Sequence, residues 1–328
     1  MKKMLVFLLL AVVSVGLAQN PSGQAQARKP VQLKLHPAKT QKDTQKYTLI
    51  PKPGESVDLD AASLYRKAAD LLAGSPARGQ VLEWSMTPIG MLPKKDVETV
   101  LERYRPALDL VEQASRCSQC QWPVFDPEAE EMPDYRALGS YVALEARYRI
   151  SQGRYEEAIA SIQDGFAFAR HMGQSKVLVQ GLVAIAIGGL MCRQIEALTQ
   201  EPDVPSLYWA LKVMPRPLVD LTEAIRISED YYGQDSTDGK SLALMKRLDR
   251  HMAALHCIEG IRLYATRQGR FPQRLDEVGL DMPDDPLMDR PFVYTARTET
   301  AVVLEGPVPQ GGSERDGLRY ELAWIKGQ

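Results

Sequence analysis

The sequence predicts a mainly α protein: a helical bundle or solenoid over residues 57–236, then a small α+β module over 241–328 made of one long helix and a short antiparallel sheet. Three observations predict it. Apolar residues recur at helical spacing almost without interruption from Leu64 to Gly269. Within that run the segment Val177 to Cys192 is apolar on nearly every face and requires neighbours to cover it. Beyond Gly269 the pattern changes to short β-branched and aromatic runs separated by turn residues.

The first residues, "MKKMLVFLLLAVVSVGLAQN", combine Lys2 and Lys3, an apolar run from Met4 to Val15, and small residues at Gly16 and Ala18. This predicts a secretory signal peptide over 1–18, cleaved after Ala18. The start resembles bacterial signal peptides, which implies export to the periplasm or beyond. Its run of about 14 apolar residues is short of the ~20 that span a bilayer, so membrane association is expected only if the segment stays uncleaved. No cysteine follows it to carry a lipid.

The chain has 328 residues with 40 basic and 42 acidic side chains, and removing Lys2 and Lys3 leaves a net charge of −4. That balance gives no reason to expect nucleic acid as a partner. Residues 19–56 hold Arg28, Lys29, Lys34, Lys39, Lys42, Lys46 and Lys52 against Asp43 and Glu55, with much Gln, Pro and Thr. They are expected to form a mostly disordered basic and polar tail.

Leu64, Ala68, Leu71 and Leu72 define the first helix, with Asp60 as its N-cap. Val97, Val100, Leu101, Tyr104, Leu108 and Val111 define a second, which Pro106 kinks or divides. A third runs from about Asp134 to Ser151, and Gly153 separates it from a fourth carrying Ala158, Ile159, Ile162 and Phe166. The junction "ARYRISQGRYEEAIASI" resembles the helix-turn-helix of a tetratricopeptide repeat, with Gly153, Tyr155, Ala158 and Ile159 in matching places. One good copy is visible, where such arrays need about three, so the reading is repeat-like helical packing. Val177–Cys192 spans 16 residues and holds Gly181, Gly188 and Gly189, which predicts a buried central helix approached closely by its neighbours, with a membrane span as the alternative. "GQDSTDGK" at 233–240 is the expected boundary, followed by a helix from Ser241 to about Gln268.

In the last part, "PFVYTART", "TAVVLEGPV" and "RYELAWI" read as three strands that bury one face on the preceding helix. "GIRLYATRQGRFPQRLDEVGL" followed by "DDPLMDRPFVY" is similar to the globular part of type II secretion pseudopilins, at Tyr264, Gly269, Arg270, Phe271, Pro272, Leu275, Asp285, Pro286, Pro291, Phe292 and Tyr294. The resemblance covers roughly the last 85 residues. It departs where a pseudopilin has its own amino-terminal membrane helix, since the helix here carries Lys246, Arg247, Asp249 and Arg250 after some 240 other residues. With "CQWPVFD" and "IASIQDGFAFARHMG", the whole arrangement resembles a family of uncharacterised exported proteins abundant in planctomycetes. That implies an envelope scaffold and attaches no activity.

The chemistry-bearing residues are few. Cys117 and Cys120 follow a helix and precede Trp122-Pro123, whereas a redox pair sits at a helix N-terminus after a strand. Export favours a disulfide between them, with free structural thiols, half a metal site or a redox pair as alternatives. Cys192 and Cys257 read as buried core residues or one interhelical bridge. His36, His171, His251 and His256 read as structural. Asp126, Glu128, Glu130, Glu131 and Asp134 form one acidic cluster. A second, Asp281, Asp284, Asp285 and Asp289, supplies the candidate calcium ligands, against a default of solvated loops and caps. No HExxH, G-x-S-x-G or Gly-rich phosphate loop occurs, and no catalytic residue or cofactor is assigned.

The expected function is therefore that of an exported, non-enzymatic scaffold or binding protein of the bacterial cell envelope, engaging another protein or an envelope polymer. The alternatives are an envelope hydrolase using a carboxylate pair, for which Glu145, Glu156 and Glu157 are nominal candidates, and an accessory component of a pilus-like secretion system.

Overall fold

The structure, a computed structural model, describes residues 29–39, 46–52, 57–123, 132–232 and 237–325. The leader, its cleavage point at Ala18 and the acidic residues Asp126, Glu128, Glu130 and Glu131 lie outside them. In chain order the elements are β1 (Val31–Leu35), β2 (Val57–Asp60), α1 (Ala61–Leu71), α2 (Arg78–Trp84), α3 (Lys94–Arg103), α4 (Arg105–Ser115), β3 (Cys117–Gln119), α5 (Tyr135–Ser151) and α6 (Tyr155–Gly173). Then come α7 (Leu178–Leu198), α8 (Tyr208–Lys212), α9 (Thr222–Tyr232), α10 (Thr237–Gln268), β4 (Val293–Thr298), β5 (Ala301–Gly306) and β6 (Leu318–Trp324). The chain is mainly helical with a small mixed sheet.

Local sequence accounts for most boundaries. Asp60 caps α1 by accepting from the Ala62 N–H, and Asp134 caps α5 by accepting from the Ala137 N–H at 2.9 Å. The chain divides at Tyr104, so that Pro106 falls in the first turn of α4, where its missing N–H costs nothing. Gly153 (φ +71°) makes the turn between α5 and α6, and Gly269 (φ +68°) ends α10. Both occupy left-handed backbone that favours glycine.

α7 is the central helix. It packs on α5, α6, α9 and α10. By length and composition alone it could cross a membrane, yet more than half of it is enclosed by these neighbours. Its glycines and those facing it set the approach: a Cβ on Gly181 would lie 2.3 Å from Leu221 Cδ2, and one on Gly139 of α5 only 2.6 Å from Ile187 Cγ1.

The sheet has the order β1-β6-β5-β4. β4, β5 and β6 form the antiparallel meander, with Val302 opposite Leu322 and Tyr294 opposite Leu304. β1 adds in parallel at the open edge of β6, Val31 opposite Tyr320 and Leu35 opposite Trp324. This corrects the expectation of a mostly disordered tail over 19–56 for the residues described there. Leu33, Leu35 and Ala38 are buried on a segment that α10 holds down, and Leu49 is buried next to Thr48, whose carbonyl accepts from Gln163 of α6. Arg262 Nε donates to the His36 carbonyl at 2.9 Å, and the Ala38 N–H donates to Thr266 Oγ1 at 2.8 Å. One continuous core then runs from Leu33 to Trp324, so residues 57–236 and 241–328 share it rather than each enclosing its own.

The most informative buried groups are charged. Glu259 and Arg262 form a wholly buried pair on α10, 3.0 Å apart. Glu259 also accepts from Ser206 Oγ (2.8 Å) and the Leu207 N–H (2.9 Å), while Arg262 donates to the Val204 carbonyl at 2.8 Å. Arg250, also on α10, is buried against Asp285 and donates to the carbonyls of Asp316 and Pro307. A side chain at Gly306 would run into its guanidinium. These two sites join α10 to three loops and to the sheet.

Candidate functional site

A cleft of about 450 Å³ opens where β1, α5 and the end of α7 meet, lined by Lys34, His36, Pro88, Ile89, Gly90, Arg147, Ala197, Gln200 and Glu201. Arg147 arises from the inward face of α5 and is only 5 % exposed. Its Nε donates to Gln194 Oε1 (2.9 Å), Nη1 to the Thr87 carbonyl (2.6 Å) and Nη2 to the Arg193 carbonyl (3.5 Å). Gln194 is itself fixed, because its amide donates to the carbonyls of Ser85 and Leu190. All three acceptors of Arg147 are neutral, and among the described residues no carboxylate lies within ion-pair distance of it. Burial brings the guanidinium down to about 10, against the pull of Glu196 and with the push of Arg193. It is therefore a charged group at neutral pH, hydrogen-bonded only to neutral groups, with Glu196 a stabilising charge beyond them.

The rest of the cleft is mixed. Lys34 is exposed, His36 is kept below its ordinary value by burial and by Arg262, and burial raises the Glu201 carboxyl. A smaller cleft of about 300 Å³ lies between Leu71–Pro76 and Arg103–Ala107.

No family model, curated protein or solved structure matches the chain. The site therefore stands on its own geometry.

Cys117 and Cys120 occupy a different place. Cys117 opens β3, which pairs with β2 (Val57 opposite Cys117), and both cysteines are buried free thiols, as are Cys192 and Cys257. The expected Cys117–Cys120 bridge is thus not formed. Burial pushes Cys120 far above its ordinary value and Cys257 up to about 12, the opposite of what a reactive thiolate needs. The pair sits beside an aromatic cluster that was not legible from spacing: the Tyr65 hydroxyl meets His171 Nδ1 at 3.0 Å, Trp122 Nε1 donates to the His171 carbonyl at 2.6 Å, and Tyr65 stacks on Phe168 at 4.3 Å. Cys117, Cys120 and His171 are all buried, and Trp122 at the edge of the cluster is half-buried.

Two of the four candidate calcium ligands are engaged by cations. Asp285 is buried against Arg250 and accepts from the Leu287 N–H, and Asp281 is exposed and paired with Lys212 at 3.2 Å. Asp284 and Asp289 are exposed, and among the described residues no group of three or more His, Cys, Asp or Glu is placed to hold a metal ion. The three glutamates named for a hydrolase are in separate ion pairs. Glu145 is buried between Arg105 (2.6 Å) and Arg149 (2.8 Å), Glu156 is exposed on Lys46, and Glu157 is exposed on Arg154.

Buried titratable groups oppose one another. His171 is held at about 4 by burial and by Arg170, and His256 at about 4 by burial, Arg216 and Lys212. As pH falls below the usual ~6.5 the unfolded chain takes protons that these rings refuse, so their effect is to lower stability toward acid. Asp164 is raised to about 7 and Asp249 to about 6, both by burial. They keep protons that the unfolded chain gives up above ~3.9, so their effect is to lower stability as pH rises through the same window. With the His36 ring, also lowered, and the Glu201 carboxyl, also raised, the groups stand three against three, and stability is expected to be flat between pH 5 and 6. Asp164→Asn removes one counterweight, and stability then rises by about 1.4 kcal/mol per pH unit. Urea midpoints at pH 5.0, 5.5 and 6.0 check this; a wild-type change above about 1.5 kcal/mol over that range would contradict the compensation.

Glu196 acts at lower pH. Burial alone would push its carboxyl up, but His251 (2.8 Å), the Tyr320 hydroxyl (2.6 Å) and Arg193 hold it at about 2. This joins α7, α10 and β6 through one carboxylate.

Proposed function

We propose that the protein is an exported, non-enzymatic scaffold or binding protein of the bacterial cell envelope that engages another protein or an envelope polymer through its helical surface. The observation that carries this reading is the cleft beside β1, lined by a buried cation whose hydrogen-bond acceptors are all neutral. A buried guanidinium without an ion-pair partner costs stability and is repaid when an anionic group arrives. The other chemistry-bearing groups support the same reading: Glu145 (to Arg105), Glu196 (to His251), Glu259 (to Ser206) and Asp285 (to Arg250) each cross-link elements of the fold. In this proposal the α5–α6 hairpin is the tetratricopeptide-like unit, and α5 presents Arg147 to the partner.

The test is capture from envelope extract by the chain lacking residues 1–18, with Lys34→Glu as control, followed by mass spectrometry and rebinding of the purified partner. A stoichiometric partner lost in Lys34→Glu is the expected result. Turnover of an envelope substrate by purified protein, with no partner captured, would overturn the proposal.

A further inference from the structure

The cleft has a second property beyond its charge. β1 is an edge strand of the sheet. Leu35 turns its carbonyl toward the β6 side, where it accepts from the Ile325 N–H at 2.9 Å, whereas the Lys34 N–H points the other way and donates to Gln200 Oε1 at 3.3 Å. In a strand these directions alternate, so the peptide groups of Gln32 and Lys34 form the outer edge, which among the described residues is met by the Gln200 side chain. That edge borders the cleft, because Lys34 and Gln200 both line it. Arg147 uses three of the five N–H groups a guanidinium carries, and two are left for a planar, two-oxygen acceptor.

An open strand edge leading to a buried guanidinium matches an extended peptide that ends in a free carboxylate. The backbone of such a peptide extends the sheet, and its terminal oxygens take the charge-assisted bonds. We propose that the cleft binds the carboxy-terminal segment of a partner polypeptide, added as a strand along β1, with its α-carboxylate on Arg147 and Lys34. This rests on the binding-protein reading above and names the chemistry of its ligand. Gln200 is the gate: its side chain leaves the Lys34 N–H when the peptide arrives. The volume suits a short peptide end rather than a folded domain.

The probe is a mixed-sequence pool of fluorescein-labelled hexapeptides prepared in two forms, one with a free carboxy terminus and one amidated, read by fluorescence anisotropy at low salt. The free-acid pool is expected to bind at least about tenfold more tightly than the amide pool. Lys34→Glu, an exposed change, and Arg147→Gln are each expected to abolish that preference, and Lys34→Glu keeps the test valid if Arg147→Gln fails to fold. Gln32→Pro, which distorts the outer edge, is expected to weaken both pools. Equal binding of acid and amide forms, no binding of either by folded protein, or competition by millimolar acetate as effective as by peptide would each overturn the proposal. If an envelope partner is captured whose binding is indifferent to amidation of its terminus, the carboxylate assignment falls while the scaffold reading stands.

Discussion

Asp285→Ala is expected to lower the free energy of unfolding by about 3–5 kcal/mol, the cost of removing one partner from a buried ion pair. Both side chains are about 1 % exposed. With the carboxylate gone, the Arg250 guanidinium faces only the carbonyls of Asp316 and Pro307, and its Nε already has no acceptor. The pocket cannot relax to admit water easily, since Gly306 packs directly against the guanidinium. Urea denaturation with an unchanged slope would read the loss. The paired replacement Arg250→Met with Asp285→Leu is expected to recover most of it, since no charge is then left buried. A loss below about 1 kcal/mol for Asp285→Ala alone would show that the pair is not dry.

Glu259→Ala is expected to have an effect of similar size, about 3–5 kcal/mol, with a different signature. Glu259 neutralises Arg262, and Arg262 holds the carbonyls of His36 and Val204. Without the carboxylate, the anchor of the segment that carries β1 is lost. Amides of residues 31–39 should therefore exchange faster in Glu259→Ala than in wild type, while Asp285→Ala, whose contacts lie at the other end of the sheet, leaves them slow. Hydrogen exchange read by mass spectrometry separates the two, and unchanged protection of residues 31–35 in Glu259→Ala would refute the anchoring argument.

These two charge clusters also mark where the sequence could and could not be read. Helices were legible because their causes are local: Asp60 and Asp134 as caps, Gly153 and Gly269 as stops, Pro106 at a break. The meander was legible because its strands neighbour one another in sequence. β1 was not, although "VQLKL" alternates as a half-buried strand does, because it lies in a polar basic stretch and its partner is 289 residues away, Val31 opposite Tyr320. Arg147 was missed for a related reason. Its role depends on the Thr87 carbonyl and on Gln194, which only the fold brings to α5. The cysteine pair raised the opposite difficulty: its spacing invites several chemistries and does not show that both thiols are buried beside Tyr65 and His171.

The pairing of the first strand with the last carries a consequence for biogenesis. Leu318–Trp324 is made 287 residues after Val31–Leu35, counted from Val31 to Leu318. At about 5–20 residues per second, the early strand waits roughly 15–60 s with its ladder unfilled. During that interval its apolar side chains at Leu33 and Leu35 are available to any passing β-strand, so this segment of the nascent chain is one that holdase binding would protect.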